Sequence, residues 1–117
     1  MIIDNIYSFI GLAMKAGKLM SGDETCERMI KSGKAALVIV AGNASENTKK
    51  KFHDMCHNRS VDFRFFGVKE RLGKHIGKDI RSVIAILDRG FAGRLLEMID
   101  EQKIENGGEL NGKSKSI

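Results

Sequence analysis

The run Ala35-Ala36-Leu37-Val38-Ile39-Val40-Ala41 constrains the fold of this chain more than any other stretch. An unbroken apolar segment with Val and Ile at its centre reads as a strand buried on both faces, as in a parallel sheet. Such a strand needs cover above and below, and the residues just before it supply some. Gly17-Lys18 and Ser21-Gly22 mark two turns. Ser21 with Glu24 three positions later fits a capping box and places a helix start near Gly22-Asp23. Cys26, Met29 and Ile30 then form one apolar stripe, while Glu24, Glu27, Arg28 and Lys31 point elsewhere, and Gly33 ends the helix. The segment thus sets polar side chains and free backbone N–H groups at an open helix start, braced by a rigid strand. That arrangement receives an anion or the edge of a base.

The remaining pattern alternates helices with strands. Ile3, Ile6, Ile10, Ala13 and Met14 make a helical stripe ending at Gly17, followed by a brief strand at 18–20. Ser45 caps a helix running to about His57 with Phe52, Met55 and Cys56 inward. Val61, Phe63 and Phe65 alternate with Asp62 and Arg64 as a strand, a short helix spans about 69–76, and 82–87 is a further strand. Asp88 caps a last helix in which Phe91, Leu95, Met98 and Ile99 share a face. Alternation of this kind implies crossover units and a sheet covered on both sides. Residues 1–102 are read as one domain, and 103–117, rich in Gly, Asn, Ser and Lys, as a disordered tail.

Order and spacing carry a family resemblance. Gly22 and the basic Arg28, the helix ending in Gly33, the Leu-Val-Ile-Val-Ala strand, the stretch 44–51, the stretch 71–78 and the strand after it occur in register over roughly residues 3–100. Together they resemble the kink-turn-binding ribosomal protein family, which includes an archaeal large-subunit ribosomal protein, relatives in small nucleolar ribonucleoproteins and small bacterial paralogues. The bacterial branch fits best, through Ser32-Gly33-Lys34-Ala35 before the strand and Ser45-Glu46-Asn47-Thr48-Lys49-Lys50-Lys51 after it. The resemblance implies an α/β fold, a three-layer α/β/α sandwich on a small mixed, mostly parallel, four-stranded sheet.

It also implies a site. In that family the start of the second helix enters the widened groove of a kinked RNA, and side chains there read guanine edges at sheared G·A pairs. Gly22 matches the close-approach glycine, Arg28 the helix lysine and Lys18 a lysine just ahead of the site. Asp23, Glu24 and Thr25 complete the helix start, and Lys78-Asp79-Ile80-Arg81 match the second contact loop. Glu24-Thr25 stand where the archaeal pattern has Asn-Glu. Glu24 only accepts hydrogen bonds, and Thr25 is too short for a bidentate contact to guanine. The physical logic holds without the family: glycine admits RNA to the backbone, the helix start offers donors, and Lys18, Arg28, Lys74 and Lys78 neutralise phosphate.

Composition agrees. The net charge is +5, and because Lys103, Lys113 and Lys115 balance Glu101, Glu105 and Glu109 in the tail, the excess lies on residues 1–100. A compact basic domain suits a polyanion. No apolar run reaches the ~18 residues of a membrane span. Met1-Ile2-Ile3-Asp4-Asn5 does not open like a signal peptide, so the cytoplasm is the expected compartment and the two cysteines are expected as buried thiols. Gly67 to His75 resembles a phosphate-binding loop, but it has five residues between its glycines where the motif has about four, and His75 replaces the Ser or Thr that binds magnesium. His53, Cys56 and His57 lack further ligands for a metal site, Cys26 falls on a buried stripe, and Lys49, Lys50 and Lys51 read as a solvated helix face. The sequence therefore points to a non-enzymatic, monomeric, ribosome-associated RNA-binding protein without metal or cofactor, which docks on and stabilises a kinked or bulged RNA. The alternative, favoured by Glu24-Thr25, is a protein-interaction module of the translation apparatus that keeps the fold without base readout.

Overall fold

The computed structural model describes residues 1–107, with side chains described through 104. In chain order its elements are α1 (Ile2–Lys15), β1 (Leu19–Ser21), α2 (Asp23–Lys31), β2 (Leu37–Val40), α3 (Glu46–Arg59), β3 (Asp62–Phe65), α4 (Lys69–His75), β4 (Val83–Ile86) and α5 (Arg89–Gly107). Local chemistry accounts for most of the boundaries. α1 buries Ile6, Tyr7, Ile10 and Ala13, carries Asp4 in its first turn and Lys15 in its last, and is followed by Gly17 at φ 73°. Ser45 caps α3 by accepting from the Thr48 N–H at 3.2 Å. Asp88 does the same for α5, accepting from the Phe91 N–H at 2.9 Å. α5 continues to Gly107, past the domain boundary read at 102, and the tail reading from 108 onward lies outside the described residues.

The sheet is mixed, in the order β1-β4-β2-β3. β2 runs parallel to β3 (Val38↔Phe63, Val40↔Phe65), whereas β4 is antiparallel to both β2 and β1 (Ile39↔Ile84, Met20↔Ala85). Only one of its pairings is parallel, which corrects the expectation of a mostly parallel sheet. The reason is visible in the connection from β3 to β4. α4 has 7 residues, about 10 Å of helix, and returns the chain to β4 at the end of the sheet where β3 finished. The unbroken apolar character of β2 and β4 reports burial on both faces, and both strands are buried at every position. Burial does not report direction.

α1 packs against α4 and α5 in one layer, and α2 and α3 form the other. The core lies between, with Leu37, Ile39, Ile84 and Ile86 meeting Ile6, Ile10, Ile30, Phe52, Leu95 and Ile99. Pairing places the C-terminal ends of β1, β2 and β3 beside the N-terminal end of β4. The turns that leave this end carry Gly22, Gly42, Gly67 and Ser82, and they frame the candidate site.

Candidate nucleic-acid interface

Gly22 adopts φ 99° and ψ 154°, a conformation open to glycine and strained for any residue with a Cβ. Its N–H donates to the Val83 carbonyl at 3.1 Å, which pins the start of α2 to the central sheet. A Cβ placed there would meet nothing within 4 Å, so the space before this backbone is open. Gly22 itself occupies the N-cap position, and no side chain caps the helix. The N–H groups of Asp23, Glu24 and Thr25 have no acceptor among the described residues.

The expected Ser21 cap is therefore absent. Ser21 sits one residue too early, and its Oγ accepts instead from Arg81 Nε at 3.0 Å, across 60 positions of sequence. Arg81 also donates through Nη1 to the Ile80 carbonyl at 2.8 Å. The loop 78–81 is shaped by glycine. Lys78 N–H donates to Gly73 O at 2.8 Å, and a Cβ on buried Gly73 would collide with the Asp79 carbonyl. Gly77, at φ 77°, makes the turn into the loop. Ser21, Thr25, Lys78 and Arg81 thus surround a hollow of about 200 Å³ with an apolar floor of Met14, Leu19 and Met20, and no carboxylate lines it. Ile80 stands beside it with half its surface exposed.

Charge pairing separates the lysines and arginines into two sets. Lys31, Lys49, Lys50, Lys51, Arg64, Arg71 and Arg94 each lie within an ion pair. Lys18, Arg28, Lys74, Lys78 and Arg81 have no carboxylate partner among the described residues, and neither do Lys15, Lys34, Arg59, Lys69, Arg89 and Lys103. The first five are the cations singled out from the sequence. They do not all meet in one place. Lys78 and Arg81 flank the hollow; Arg28 lies a turn along α2 beside Glu24, and Lys74 is exposed on α4. Lys18 sits at the other end of β1, where its carbonyl accepts from Leu87 N–H, about 13 Å of extended chain from Gly22.

Two features of the site carry no signature in the sequence. One is the Ser21–Arg81 tie. The other is Lys51, which reaches from α3 to Asp23 at 2.8 Å and Glu27 at 2.9 Å on α2. Hydrogen bonds from Lys31 and Lys51 hold the Glu27 carboxyl down at about 2. Asp23 is thereby engaged at the helix start, whereas Glu24 makes no hydrogen bond there.

The competing motifs resolve into structure. The loop after Gly67 has little left to offer a phosphate, because Val68 N–H donates to Tyr7 Oη at 2.9 Å and Lys69 N–H to Asn43 Oδ1 at 2.8 Å. Cys26 and Cys56 are buried free thiols, and burial pushes them up to about 12 and about 11. No group of three or more metal-ligating side chains occurs among the described residues. No helix there is long and apolar enough to cross a membrane. A larger hollow of about 600 Å³ lies between α1 and α5, lined by Phe9, Leu12 and Phe91, towards the opposite end of the sheet.

The fold and this surface define a small α/β/α binding domain with an open helix start and unneutralised cations around it. Residues 4–96 match the ribosomal protein L7Ae/L30e/S12e/Gadd45 family, and the chain belongs to that family. It is 45% identical to the RNA-binding protein YlxQ of Enterococcus faecium over 94 residues, which are 80% of this chain and 89% of that protein. Over an equal length it is 36% identical to YlxQ of Bacillus subtilis (strain 168), covering 80% of this chain and 94% of that one. A solved structure of a protein with unknown function from Bacillus halodurans superimposes with a TM-score of 0.79 at 36% identity, covering 81% of this chain and 96% of its own. The resemblance read from the sequence, including its bacterial branch, is borne out.

Proposed function

We infer that this protein is a non-enzymatic RNA-binding protein that docks on structured, kinked or bulged RNA and stabilises it. The carrying observation is the Ser21–Arg81 contact at 3.0 Å, which joins the open start of α2 to the cationic loop 78–81 around a hollow free of carboxylates. Gly22 admits the RNA to the backbone, and the N–H groups of 23–25 offer donors to phosphate or base edges. Asp23, Glu24, Thr25 and Ile80 meet the bases, while Arg28, Lys74, Lys78 and Arg81 meet phosphates. Lys18 contributes at the periphery. The names of the YlxQ relatives support RNA as the ligand, and the family's ribosomal members support association with the ribosome in the cytoplasm. The domain of residues 1–102 works as a monomer and needs no cofactor.

A second reading, a protein-interaction module of the translation apparatus, is favoured by one observation: exposed Glu24 places an unpaired negative charge at the helix start. Binding to a kink-turn hairpin, and to the same hairpin with its G·A pairs made Watson–Crick, separates the two. The RNA reading expects the kinked hairpin to bind more tightly, and Glu24→Asn with Thr25→Glu to widen the gap by about 1–3 kcal/mol for one good bidentate contact. The swap leaves net charge unchanged, so a wider gap comes from geometry. No binding to either hairpin at low salt would hand the site to a protein partner.

A further inference from the structure

The far edge of the same sheet end carries a second arrangement that the docking site does not use. β3 is an edge strand, and Phe65 at its C-terminal end is 39% exposed. Its ring belongs to a row. Phe65 meets Phe63 edge-on at 5.0 Å, Phe63 meets His53 edge-on at 5.6 Å, and His53 lies parallel to His57 at 6.2 Å. Lys49 Nζ stands 5.8 Å from the centre of the Phe65 ring. Lys49, Lys50, His53, Glu46 and Phe65 enclose an open hollow of about 380 Å³.

The sheet register connects this edge to the docking site. Gly22 is bonded to Val83, Val83 pairs with Val40, and Val40 pairs with Phe65. Gly22 and Phe65 therefore share one row at one end of the sheet, three strand spacings or about 14 Å apart. The lysine run bridges them in the helical layer, because Lys51 touches Asp23 on α2 while Lys49 stands over Phe65. The partners of Lys49 and Lys50, Glu46 at 3.4 Å and Asp54 at 2.8 Å, are exposed neighbours on the same helix. Pairs of that kind are weak and exchange readily for a phosphate. An exposed ring flanked by movable lysines is how proteins hold an unpaired nucleotide, since every base has a π-face to stack.

We propose that Phe65, with Lys49 and Lys50, is a stacking platform for a single-stranded nucleotide that flanks the RNA docked at Gly22. The proposal rests on the RNA-docking function and specifies what kind of RNA it takes: a folded element with an unpaired extension, not a blunt hairpin.

The test compares a blunt kink-turn hairpin with the same hairpin extended by a few unpaired nucleotides at either end, using the full chain. The wild type gains about 5- to 160-fold in affinity from one of the extensions, the range expected of base–aromatic stacking. Phe65→Leu keeps the apolar bulk, so the fold is retained; it loses that gain and leaves affinity for the blunt hairpin unchanged. Phe65→Tyr keeps the gain. Salt-dependent binding of blunt and extended hairpins with equal affinity overturns the platform and leaves the docking site standing. So does an extension effect that survives in Phe65→Leu. Binding of neither hairpin overturns both.

Discussion

At the scale of single residues, Gly22 has two separable jobs. Its φ of 99° is required by the backbone, and in the proposed function the open space before it receives the RNA. The first job predicts that Gly22→Ala and Gly22→Val each lose about 1–3 kcal/mol of stability from backbone strain. Each kcal/mol corresponds to a drop of about 4–8 °C in Tm for a domain of this size. The second job predicts that affinity for a kink-turn hairpin falls further for Val than for Ala, because only the larger side chain fills the approach. Equal affinities for the two variants, with equal Tm, would make Gly22 a purely structural glycine. From the sequence alone the strain was invisible, and Gly22 read only as a close-approach glycine at a helix start. The positive φ arises because the chain must leave β1, bond to Val83 and enter α2 within a single residue.

At the scale of elements, α2 is held by contacts made outside itself. Ser21→Ala tests this directly. A capping serine, when removed, frays the first turn and weakens amide protection at 23–25. Here the same change removes the Arg81 hydrogen bond and leaves α2 unaltered. The expected cost is about 1–2 kcal/mol, as for a hydrogen bond to a charged group at a half-exposed site. Hydrogen exchange should show loosening at 78–81 and unchanged protection within α2; fraying of α2 would restore the capping box. The α2–α3 clasp makes a separate prediction with pH. Glu27 is held from its ordinary 4.5 down to about 2 by Lys31 and Lys51. A carboxyl with a depressed folded-state value contributes stability that is present above the unfolded value and lost as pH falls. Acid unfolding between about pH 4.5 and 2 should therefore be shallower in Glu27→Gln than in the wild type, while the two converge at the acid end. An unchanged slope would mean that the clasp adds nothing in solution, as with many exposed pairs.

At the scale of the whole molecule, the net charge of +5 matters through its distribution. The ion pairs hold the lysines of α3, while Arg28, Lys74, Lys78 and Arg81 stay unneutralised by any described carboxylate. Four phosphate contacts give a log–log salt slope of about −3 to −4, so affinity for structured RNA should fall about 100-fold between 50 and 200 mM salt. A titration indifferent to salt would exclude phosphate contact as the basis of binding. Replacing Lys78 should lower the slope by about one, whereas replacing Lys18, at the far end of β1, should change it little.

The sequence by itself determined the layered α/β/α fold, the place of nearly every element and the family. Those depend on local periodicity, caps and spacing: Ser45 and Asp88 start helices wherever the rest of the chain lies. The cations of the candidate site were legible for the same reason, since exposed charge at a glycine-marked helix start is written in neighbouring residues. Tertiary structure alone decided four things. It set β4 antiparallel, because a strand's burial is written in its residues but its direction is set by how far α4 carries the chain. It turned Ser21 from a cap into the partner of Arg81, and it carried Lys51 of α3 across to Asp23 and Glu27 on α2. It also left Phe65 exposed, because the edge position of β3 follows from strand order. Each of these joins residues far apart in sequence, and no local pattern encodes which distant group a hydroxyl, an ammonium or a ring will meet.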